Sequence, residues 1–291
     1  MLEVHDLTKD YRLRGGLRRP VLRAVDQVSF TLTEGRTLAL VGESGSGKST
    51  IARILARLEK PTAGRVVLRA PDGTQVPGRF YRDYVQMVFQ DPFASLNPFH
   101  TIAHHIARPL RLHGRARDRA QTALLVDQLL ERVSLAEPAL ARRRPHELSG
   151  GQRQRVAIAR ALAPGARVVV ADEPVSMLDV SIRLDVLKLL ARLQREENLA
   201  VLYITHDLAT ARHFSDEILV LYRGRVVERG PADEVILAPR HPYTKLLAAA
   251  SPDPLARGRA EQIGAEDEID AASAATAYDH YTGRWTGLQA G

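Results

Sequence analysis

The chain has no cysteine among its 291 residues, and only 5% of its residues are aromatic. The absence of cysteine excludes disulfides, thiol catalysis, cysteine-ligated zinc and an iron–sulfur cluster. No stretch approaches the roughly 18 apolar residues of a membrane-spanning helix, and the N-terminus lacks a signal-peptide pattern. We therefore expect a protein of a reducing compartment, with any membrane function depending on a partner.

Positive charge is in excess, with 41 Lys and Arg against 34 Asp and Glu and a formal net charge of +7. A basic surface attracts nucleic acids, anionic membranes and nucleotides. Much of the excess is arginine on predicted helices, as in Arg142–Arg144, and no basic stripe alternates with aromatic residues. This pattern favours a solvated surface, and we expect no nucleic-acid partner.

One glycine-rich stretch, Gly42–Thr50, has the pattern G-x-x-x-x-G-K-[ST]. It follows the apolar run Thr37–Val41, of strand length, and precedes residues 51–58, which have helical spacing. In this context, backbone N–H groups and a helix N-terminus surround a phosphate, Lys48 contacts the β- and γ-phosphates, and Ser49 binds Mg²⁺. The predicted nucleotide-binding residues of this loop are Gly42, Ser44, Gly45, Gly47, Lys48, Ser49 and Thr50.

Two carboxylates and a histidine follow predicted buried strands. Residues 168–171 end in Asp172 and Glu173, and residues 200–205 end at His206. Strand alternation predicts that the two carboxylates face different sides, so that Asp172 enters a Mg²⁺ shell and Glu173 faces an attacking water. His206 is predicted at the edge where a doubly wound sheet binds ligands, within reach of the γ-phosphate.

A second anion-binding helix start is predicted at Ser149-Gly150-Gly151. Ser149 is a good N-cap, and the two glycines leave backbone donors open at the start of a helix. One chain rarely needs two such sites for a single triphosphate. A second copy of the protein or a homologous partner could therefore use this site across an interface.

The rest of the chain indicates an α/β protein with an inserted helical region. Residues 1–36 predict short strands, Asp91–Pro98 a loop, residues 100–147 a helical insert and Val180–Glu196 a long helix. Composition shifts after Pro252, and we expect residues 257–291 to be loosely held or disordered.

The helical insert carries an amphipathic segment and several histidines. Over residues 117–133, the predicted buried face consists of Ala120, Leu124, Leu130 and Val133. A histidine cluster lacks a carboxylate at metal-site spacing, so we interpret it as structural; its members are His100, His104 and His105.

The phosphate loop, the run Leu148–Gln152, the pair Asp172–Glu173 and His206 together resemble the nucleotide-binding subunit of an ABC transporter. The resemblance covers about residues 1–251. It implies an α/β P-loop NTPase fold, with a mixed-sheet core, an N-terminal antiparallel β-subdomain and an inserted α-helical subdomain at about 91–165. Residues 252–291 would form a loosely ordered C-terminal extension.

The resemblance also implies roles for individual residues. Tyr11 resembles the aromatic residue that stacks on adenine, and Gln90 the loop glutamine that contacts Mg²⁺ and the attacking water. Glu173 resembles the general base, and His206 the switch histidine. The implied catalytic set is Lys48, Gln90, Glu173 and His206, and the implied Mg²⁺ ligands are Ser49, Gln90 and Asp172.

Further residues resemble those that act across an ABC dimer. Asp179 falls in the loop that crosses the dimer interface. The signature residues would contact the γ-phosphate of the ATP held by the opposite subunit, and they are Ser149, Gly150, Gly151 and Gln152.

A finer resemblance points to ATPases of the dipeptide, oligopeptide and nickel importer group. It rests on Gln90–Pro98, Ala171–Ser176 and Pro239–Thr244. Met177 stands where this group usually has alanine, and the cysteine-rich C-terminal segment that holds an iron–sulfur cluster in many members is absent. We therefore expect ATP and Mg²⁺ as cofactors and no iron–sulfur cluster.

This resemblance implies an ATP-hydrolysing subunit that powers an importer of peptides or a related small solute. Its expected position is the cytoplasmic face of the membrane. The implied partners are two transmembrane permease subunits, a second ATP-binding subunit that is a sister or the same chain, and, indirectly, an extracytoplasmic solute-binding protein.

The sequence suggests three alternatives to this function. An ABC ATPase of a soluble assembly, such as the carbon–phosphorus lyase complex, stays open, although the Ser95–Pro98 loop favours transport. A chromosome-clamp or DNA-repair ATPase requires a long coiled coil, and no sustained heptads are present. A nucleotide-binding switch without ABC architecture is disfavoured by the Ser149-Gly-Gly run.

Overall fold

Three antiparallel strands form a small sheet from the first part of the chain. The computed structural model describes residues 1–12, 21–137, 139–250, 277–279 and 284–286. In it, the order of this sheet is β2-β1-β4, and the strands are β1 (Leu2–Arg12), β2 (Val21–Leu32) and β4 (Ala63–Leu68). Leu2 and Val4 point inward and are buried, as the alternation of a half-buried strand requires. Leu7 is also buried, because the pairing of β1 with β2 has an irregularity between Val4 and Leu7 that changes the alternation.

A six-stranded sheet forms the centre of the protein, in the order β5-β6-β7-β3-β8-β9. Its pairs from β5 to β8 are parallel, and β9 is antiparallel to β8. The strands are β3 (Thr37–Val41), β5 (Val85–Val88), β6 (Val168–Asp172), β7 (Ala200–Thr205), β8 (Glu217–Tyr222) and β9 (Arg225–Pro231).

The register of the parallel strands brings their carboxyl ends to one edge. Val41 pairs with Thr205, and Asp172 pairs with Ile204. The loops that follow β3, β6 and β7 therefore begin side by side, where parallel α/β sheets bind ligands.

The central sheet is buried on both faces, which explains why its strands are continuous apolar runs. On β3, Leu38 and Leu40 belong to one hydrophobic cluster, whereas Ala39 and Val41 belong to the other. The first cluster also contains Leu2 and Ile51, from the antiparallel sheet and the helix after the phosphate loop.

Helices cover the central sheet and form the insert. Those of the insert region are α3 (Pro92–Ser95), α4 (Ile102–Leu112), α5 (Arg119–Arg132) and α6 (Gly150–Leu162), with 3₁₀ turns at Leu140–Arg142 and Pro145–Glu147. The others are α1 (Lys48–Leu55), α2 (Tyr81–Tyr84), α7 (Val180–Glu196), α8 (Leu208–Phe214), α9 (Ala232–Leu237) and α10 (Pro242–Ala250). Within the described ranges, every helix is too short or too polar to cross a membrane.

The predicted α/β fold is confirmed, with a mixed sheet and an antiparallel β-subdomain, but two local predictions are wrong. Asp91–Pro98 contains a helical turn, α3, because the Asp91 carboxylate caps the N–H groups of Phe93 and Ala94 and Pro92 suits the first helical position. On α5, the predicted core residue Leu124 is 58% exposed. Ala120 is also exposed, whereas Leu130 and Val133 are buried as predicted. The remaining buried residues of α5 are Thr122, Val126 and Leu129.

The division into an ATPase domain over residues 1–251 and an extension over 252–291 stays a prediction. The extension lies outside the described residues apart from two short strands, β10 (Ala277–Asp279) and β11 (Arg284–Thr286). These strands pair antiparallel, with Tyr278 opposite Trp285.

Candidate functional site

The phosphate loop follows β3 and ends at the start of α1. Gly47 is the N-cap of α1 with φ 110°, a left-handed conformation that strongly favours glycine. A Cβ atom at Gly42 would lie 2.2 Å from the carbonyl oxygen of Leu221, so the loop also packs closely against β8. These two positions explain why the pattern requires glycine at both ends of the loop.

Lys48 lies inside this loop and is only 5% exposed. Its Nζ donates hydrogen bonds to the carbonyl oxygens of Gly42 (2.7 Å) and Glu43 (2.6 Å). Burial lowers the pKa of Lys48, although the nearby charges of Glu173 and Asp172 act in the opposite direction. The ammonium group is therefore held at the concave side of the loop, where an anion would complete its hydrogen bonds.

Ser49 and Asp172 form the part of the site that fits a divalent cation. The Ser49 hydroxyl donates to Asp172 Oδ1 across 3.2 Å. Burial raises the pKa of Asp172, the Ser49 hydrogen bond opposes that shift, and the Glu173 charge adds to it. A hydroxyl beside a buried carboxylate is an oxygen donor set that suits Mg²⁺, which takes few protein ligands and completes its shell with water and phosphate.

Glu173 contacts two other predicted catalytic residues, Gln90 and His206. Its Oε2 accepts a hydrogen bond from Gln90 Nε2 at 3.1 Å, and its Oε1 lies 3.3 Å from His206 Nδ1. The backbone of Glu173 has φ 44°, an uncommon conformation for a residue with a side chain. Strained backbone persists only where the surrounding structure holds it in place, and it is common at active sites.

The relation between Asp172 and Glu173 differs from the predicted strand alternation. The strand β6 ends at Asp172, and the chain turns at Glu173. Asp172 thus faces Ser49, while Glu173 faces Gln90 and His206. The two carboxylates do have different partners, but a backbone turn separates them.

Tyr11 lies at the end of β1, near the start of α1. Its hydroxyl donates to Glu59 Oε2 at 2.7 Å, and Lys9 Nζ lies 5.0 Å from the centre of its ring. Burial raises the pKa of Tyr11, the hydrogen bond to Glu59 adds to that shift, and the nearby Thr50 side chain partly opposes it. The predicted adenine-stacking residue is therefore next to the last residue of the phosphate loop.

The signature residues form a separate group at the start of α6. Ser149 and Gln152 make a reciprocal capping box, in which each side chain accepts the backbone N–H of the other. A Cβ atom at Gly150 would lie 3.2 Å from Leu178 Cδ2, and one at Gly151 would lie 2.5 Å from Ile182 Cγ2. The signature glycines therefore pack against the segment that contains Asp179.

No hydrogen bond or ion pair among the described residues joins this signature group to the phosphate loop. The backbone and side-chain bonds of Ser149 stay within α6 and its cap. The chain thus contains two groups: the phosphate loop with its carboxylates, and the signature with the segment around Asp179.

A polar groove of about 680 Å³ lies beside the loop that follows Gln90. Burial lowers the pKa of His104 and of His105, and the rings of His100 and His104 stack 4.0 Å apart. The cationic and histidine side chains of this groove are His100, His104, His105, Arg108, His113 and Arg160.

One contact with the phosphate loop was missed by the sequence analysis. The Tyr243 hydroxyl on α10 accepts a hydrogen bond from the backbone N–H of Glu43 at 2.9 Å. The two residues are 200 positions apart, so no local pattern connects them.

Comparison with known proteins agrees with this geometry. A model of the ABC transporter family matches residues 25–176, and a model of the oligopeptide/dipeptide transporter C-terminal region matches residues 227–276. The chain is 46% identical over 279 residues to the "Probable peptide ABC transporter ATP-binding protein y4tS" of Sinorhizobium fredii (strain NBRC 101917 / NGR234), covering 92% of this chain and 77% of that protein.

A second relative and a solved structure extend the comparison. The chain is 45% identical over 278 residues to the "Oligopeptide transport ATP-binding protein AppF" of Bacillus subtilis (strain 168), covering 92% of this chain and 84% of that protein. It also matches the dimeric post-hydrolysis structure of the ATP-binding cassette MJ0796 bound to ADP and Pi. That match has a TM-score of 0.68 and 32% identity, and it covers 80% of this chain and 99% of the other.

Proposed function

Because this chain belongs to the ABC transporter family of ATP-binding proteins, we propose that it hydrolyses ATP to power the import of peptides or a related small solute. The observation that carries this proposal is the meeting of Lys48, Ser49, Asp172, Glu173 and Gln90 at the carboxyl edge of the central sheet. The proposed cargo class rests on the relatives, which are named as peptide and oligopeptide transport proteins.

The phosphate loop binds the nucleotide through its backbone and Lys48. The N–H groups at the start of α1 point toward the bound phosphates, and the helix dipole favours their negative charge. Lys48 already lies on the concave side of the loop, within reach of its carbonyl groups. On ATP binding, its ammonium group contacts the β- and γ-phosphates. We assign contact with the adenine to Tyr11.

Mg²⁺, when bound with ATP, neutralises charge on the phosphates and polarises the bond that breaks. The residues that would hold it are Ser49, Asp172 and Gln90. The buried Asp172 carboxylate favours this assignment, because a cation would offset the cost of keeping that carboxylate ionised.

Glu173 acts as the general base. Its carboxylate takes a proton from the water that attacks the γ-phosphorus, the bond to the leaving β-phosphate oxygen breaks, and ADP and phosphate are formed. Gln90 and His206 contact opposite oxygens of this carboxylate and thereby orient it. His206 also lies at the edge of the sheet where the γ-phosphate would be bound.

A second ATP-binding subunit completes each nucleotide site. Residues Ser149–Gln152 are separate from the phosphate loop of their own chain, which supports their use by a partner subunit, with Asp179 at the same interface. ATP that contacts both subunits binds the closed dimer better than the open one, so it shifts the population toward closure. The partner is a sister subunit or a second copy of this chain.

We further propose that two transmembrane permease subunits dock at the cytoplasmic side of the membrane and contact the polar groove beside Gln90. A solute-binding protein outside the membrane would deliver the cargo to the permeases. Since the hydrogen bond between Gln90 and Glu173 begins beside this groove, movement of a docked permease would change the position of the general base.

Uptake of labelled dipeptides and oligopeptides tests the importer proposal. A strain that lacks this chain should lose peptide uptake. Expression of the wild-type chain in that strain should restore uptake, whereas expression of the Lys48→Ala variant should not. Co-purification should then yield membrane permeases. Normal peptide uptake in the deletion strain, together with ATP hydrolysis by the purified wild-type chain and recovery of soluble enzymes, would support the soluble assembly instead.

A further inference from the structure

The C-terminal helix α10 is connected directly to the phosphate loop through Tyr243. This side chain is 1% exposed, and its hydroxyl oxygen accepts the backbone N–H of Glu43 at 2.9 Å. Glu43 is the second residue of the loop pattern, immediately after Gly42. A residue far along the chain thus provides a hydrogen-bond partner for the backbone of the predicted nucleotide site.

The N–H of Glu43 and the carbonyl of Gly42 belong to the same peptide group. Lys48 Nζ donates to that carbonyl at 2.7 Å, while Tyr243 accepts from the N–H. Because a peptide group is planar, fixing its two polar ends fixes its orientation. The Gly42–Glu43 peptide is therefore held on one side by the loop lysine and on the other by α10.

Tyr243 is itself held firmly. Its ring packs against Tyr222 with 4.3 Å between the ring centres, and its backbone N–H donates to His241 Nδ1 at 3.2 Å. The buried Glu228 carboxylate accepts the backbone N–H groups of Arg240 (2.9 Å) and His241 (3.1 Å). A buried carboxylate bonded in this way ties the start of α10 to β9, so the hydroxyl is presented from a rigid support.

We propose that Tyr243 is a positioning residue for ATP binding, whose hydroxyl keeps the Gly42–Glu43 peptide in the orientation that the phosphate loop needs. The inference rests on the proposed function only in that ATP occupies this loop. Without the hydroxyl, the Glu43 N–H loses its partner and the peptide can rotate. Apparent affinity then falls in proportion to the fraction of molecules whose loop is competent to bind.

The test compares Tyr243→Phe with Tyr81→Phe. Tyr81 is also buried, and its hydroxyl donates to the backbone carbonyl of Leu55 at 2.8 Å, away from the phosphate loop. Each variant removes one buried hydroxyl that is bonded to the backbone and retains the ring. The two should lose thermal stability to a similar extent, which makes Tyr81→Phe the control for general destabilisation.

We expect Tyr243→Phe to raise the dissociation constant of ATP and the KM of ATP hydrolysis about fivefold, equivalent to about 1 kcal/mol. The kcat at saturating ATP should stay within about twofold of wild type, since ATP binding selects the competent loop. Tyr81→Phe should leave both constants unchanged. Binding is measured with ATP by calorimetry and with a fluorescent N-methylanthraniloyl derivative of ATP.

Hydrogen exchange of the phosphate-loop amides provides a second readout that does not depend on turnover. In the absence of nucleotide, the Glu43 amide should exchange faster in Tyr243→Phe than in wild type. Under the same conditions, Tyr81→Phe should exchange at the wild-type rate. Equal ATP affinity and equal Glu43 exchange in the two variants would overturn the inference. If the wild-type chain itself fails to bind ATP, the proposed function is wrong instead.

Discussion

The side-chain amide of Gln90 donates a hydrogen bond to the Glu173 carboxylate across 3.1 Å. Gln90 follows β5 and is next to Asp91, the cap of α3, whereas Glu173 follows β6. The contact therefore links the loop beside the polar groove to the residue that we assign as general base. The other oxygen of Glu173 lies 3.3 Å from His206, so the carboxylate is oriented from two strands at once.

Glu173→Gln should abolish turnover while retaining ATP binding. A glutamine keeps the size of the side chain but cannot take a proton from water, and general-base catalysis typically contributes at least about 100-fold to the rate. We expect hydrolysis to fall by at least that factor, the dissociation constant of ATP to stay within about twofold, and a dimer to accumulate with ATP. Phosphate release and light scattering after size exclusion measure these outcomes.

Glu196→Gln, an exposed change on α7, is the matched control and should behave as wild type. Turnover near the wild-type rate in Glu173→Gln would refute the assignment of the base. Loss of ATP binding in the same variant would instead show that Glu173 holds the loop or the nucleotide.

Lys48→Ala should weaken nucleotide binding itself. The Lys48 ammonium is buried against two loop carbonyls, and its removal deletes both the cation that faces the phosphates and the hydrogen bonds to Gly42 and Glu43. We expect the dissociation constant of ATP to rise at least about tenfold, or about 1.4 kcal/mol. Lys188→Ala, on the exposed side of α7, should leave it unchanged, and an unchanged value in Lys48→Ala would contradict the phosphate contact.

Asp172→Asn should stabilise the nucleotide-free protein at neutral pH. Burial raises the pKa of Asp172 in the folded state above its ordinary value of 3.8. The protonated side chain therefore favours the folded state at low pH, and this contribution to the free energy of unfolding is lost as pH rises through the folded-state pKa. At pH 7 the ionised side chain therefore costs stability, and asparagine removes this cost while its amide oxygen can still accept from Ser49. We expect a higher Tm than wild type at pH 7 and a smaller difference toward pH 4.

The same substitution should reduce Mg²⁺-dependent hydrolysis, because an amide is a weaker ligand than a carboxylate. Asp127→Asn, on the exposed side of α5, should change neither Tm nor activity. A lower Tm in Asp172→Asn would mean that the ionised carboxylate stabilises the empty site, and it would contradict the proposed cost of its burial.

The sequence predicted the strands that are buried on both faces of the sheet and the helix whose apolar residues repeat with a clear helical period. The bounds of β3, β7 and α7 agree with the predicted Thr37–Val41, Ala200–Thr205 and Val180–Glu196. Continuous apolar runs between turns leave little choice of secondary structure. The parallel pairing of such strands then brings the ends of β3, β6 and β7 to one edge.

The missed features depend on contacts that local patterns do not contain. Leu124 suited the predicted apolar face of α5 but lies on the solvent side, since neighbouring helices decide which face is buried. The left-handed turn at Glu173 replaces the expected alternation, and it is held by a bond from its N–H to the Ile204 carbonyl at 3.0 Å. The contact of Tyr243 with Glu43 joins residues 200 positions apart.

Gly151→Ala should impair ATP-driven dimerisation without affecting ATP binding by one subunit. A Cβ atom at Gly151 would lie 2.5 Å from Ile182 Cγ2, and a β-branched side chain in a helix has little freedom to rotate away. The start of α7, whose N-cap is Asp179, would then have to move. In a Glu173→Gln background we expect the dimer to be weakened at least about tenfold, or about 1.4 kcal/mol, by light scattering.

Two companion variants separate this steric effect from a general loss of stability. Gly78→Ala places its Cβ no closer than 3.4 Å to the end of the flexible Arg57 side chain, so it should dimerise as the parent does. Ile182→Ala removes the atom that the new methyl group would meet. Gly151→Ala should therefore weaken the dimer much less in a protein that already carries Ile182→Ala than in one that retains Ile182. Equal losses with and without Ile182 would contradict the steric account. Unchanged dimerisation in Gly151→Ala would contradict the assignment of the signature glycines to the proposed interface.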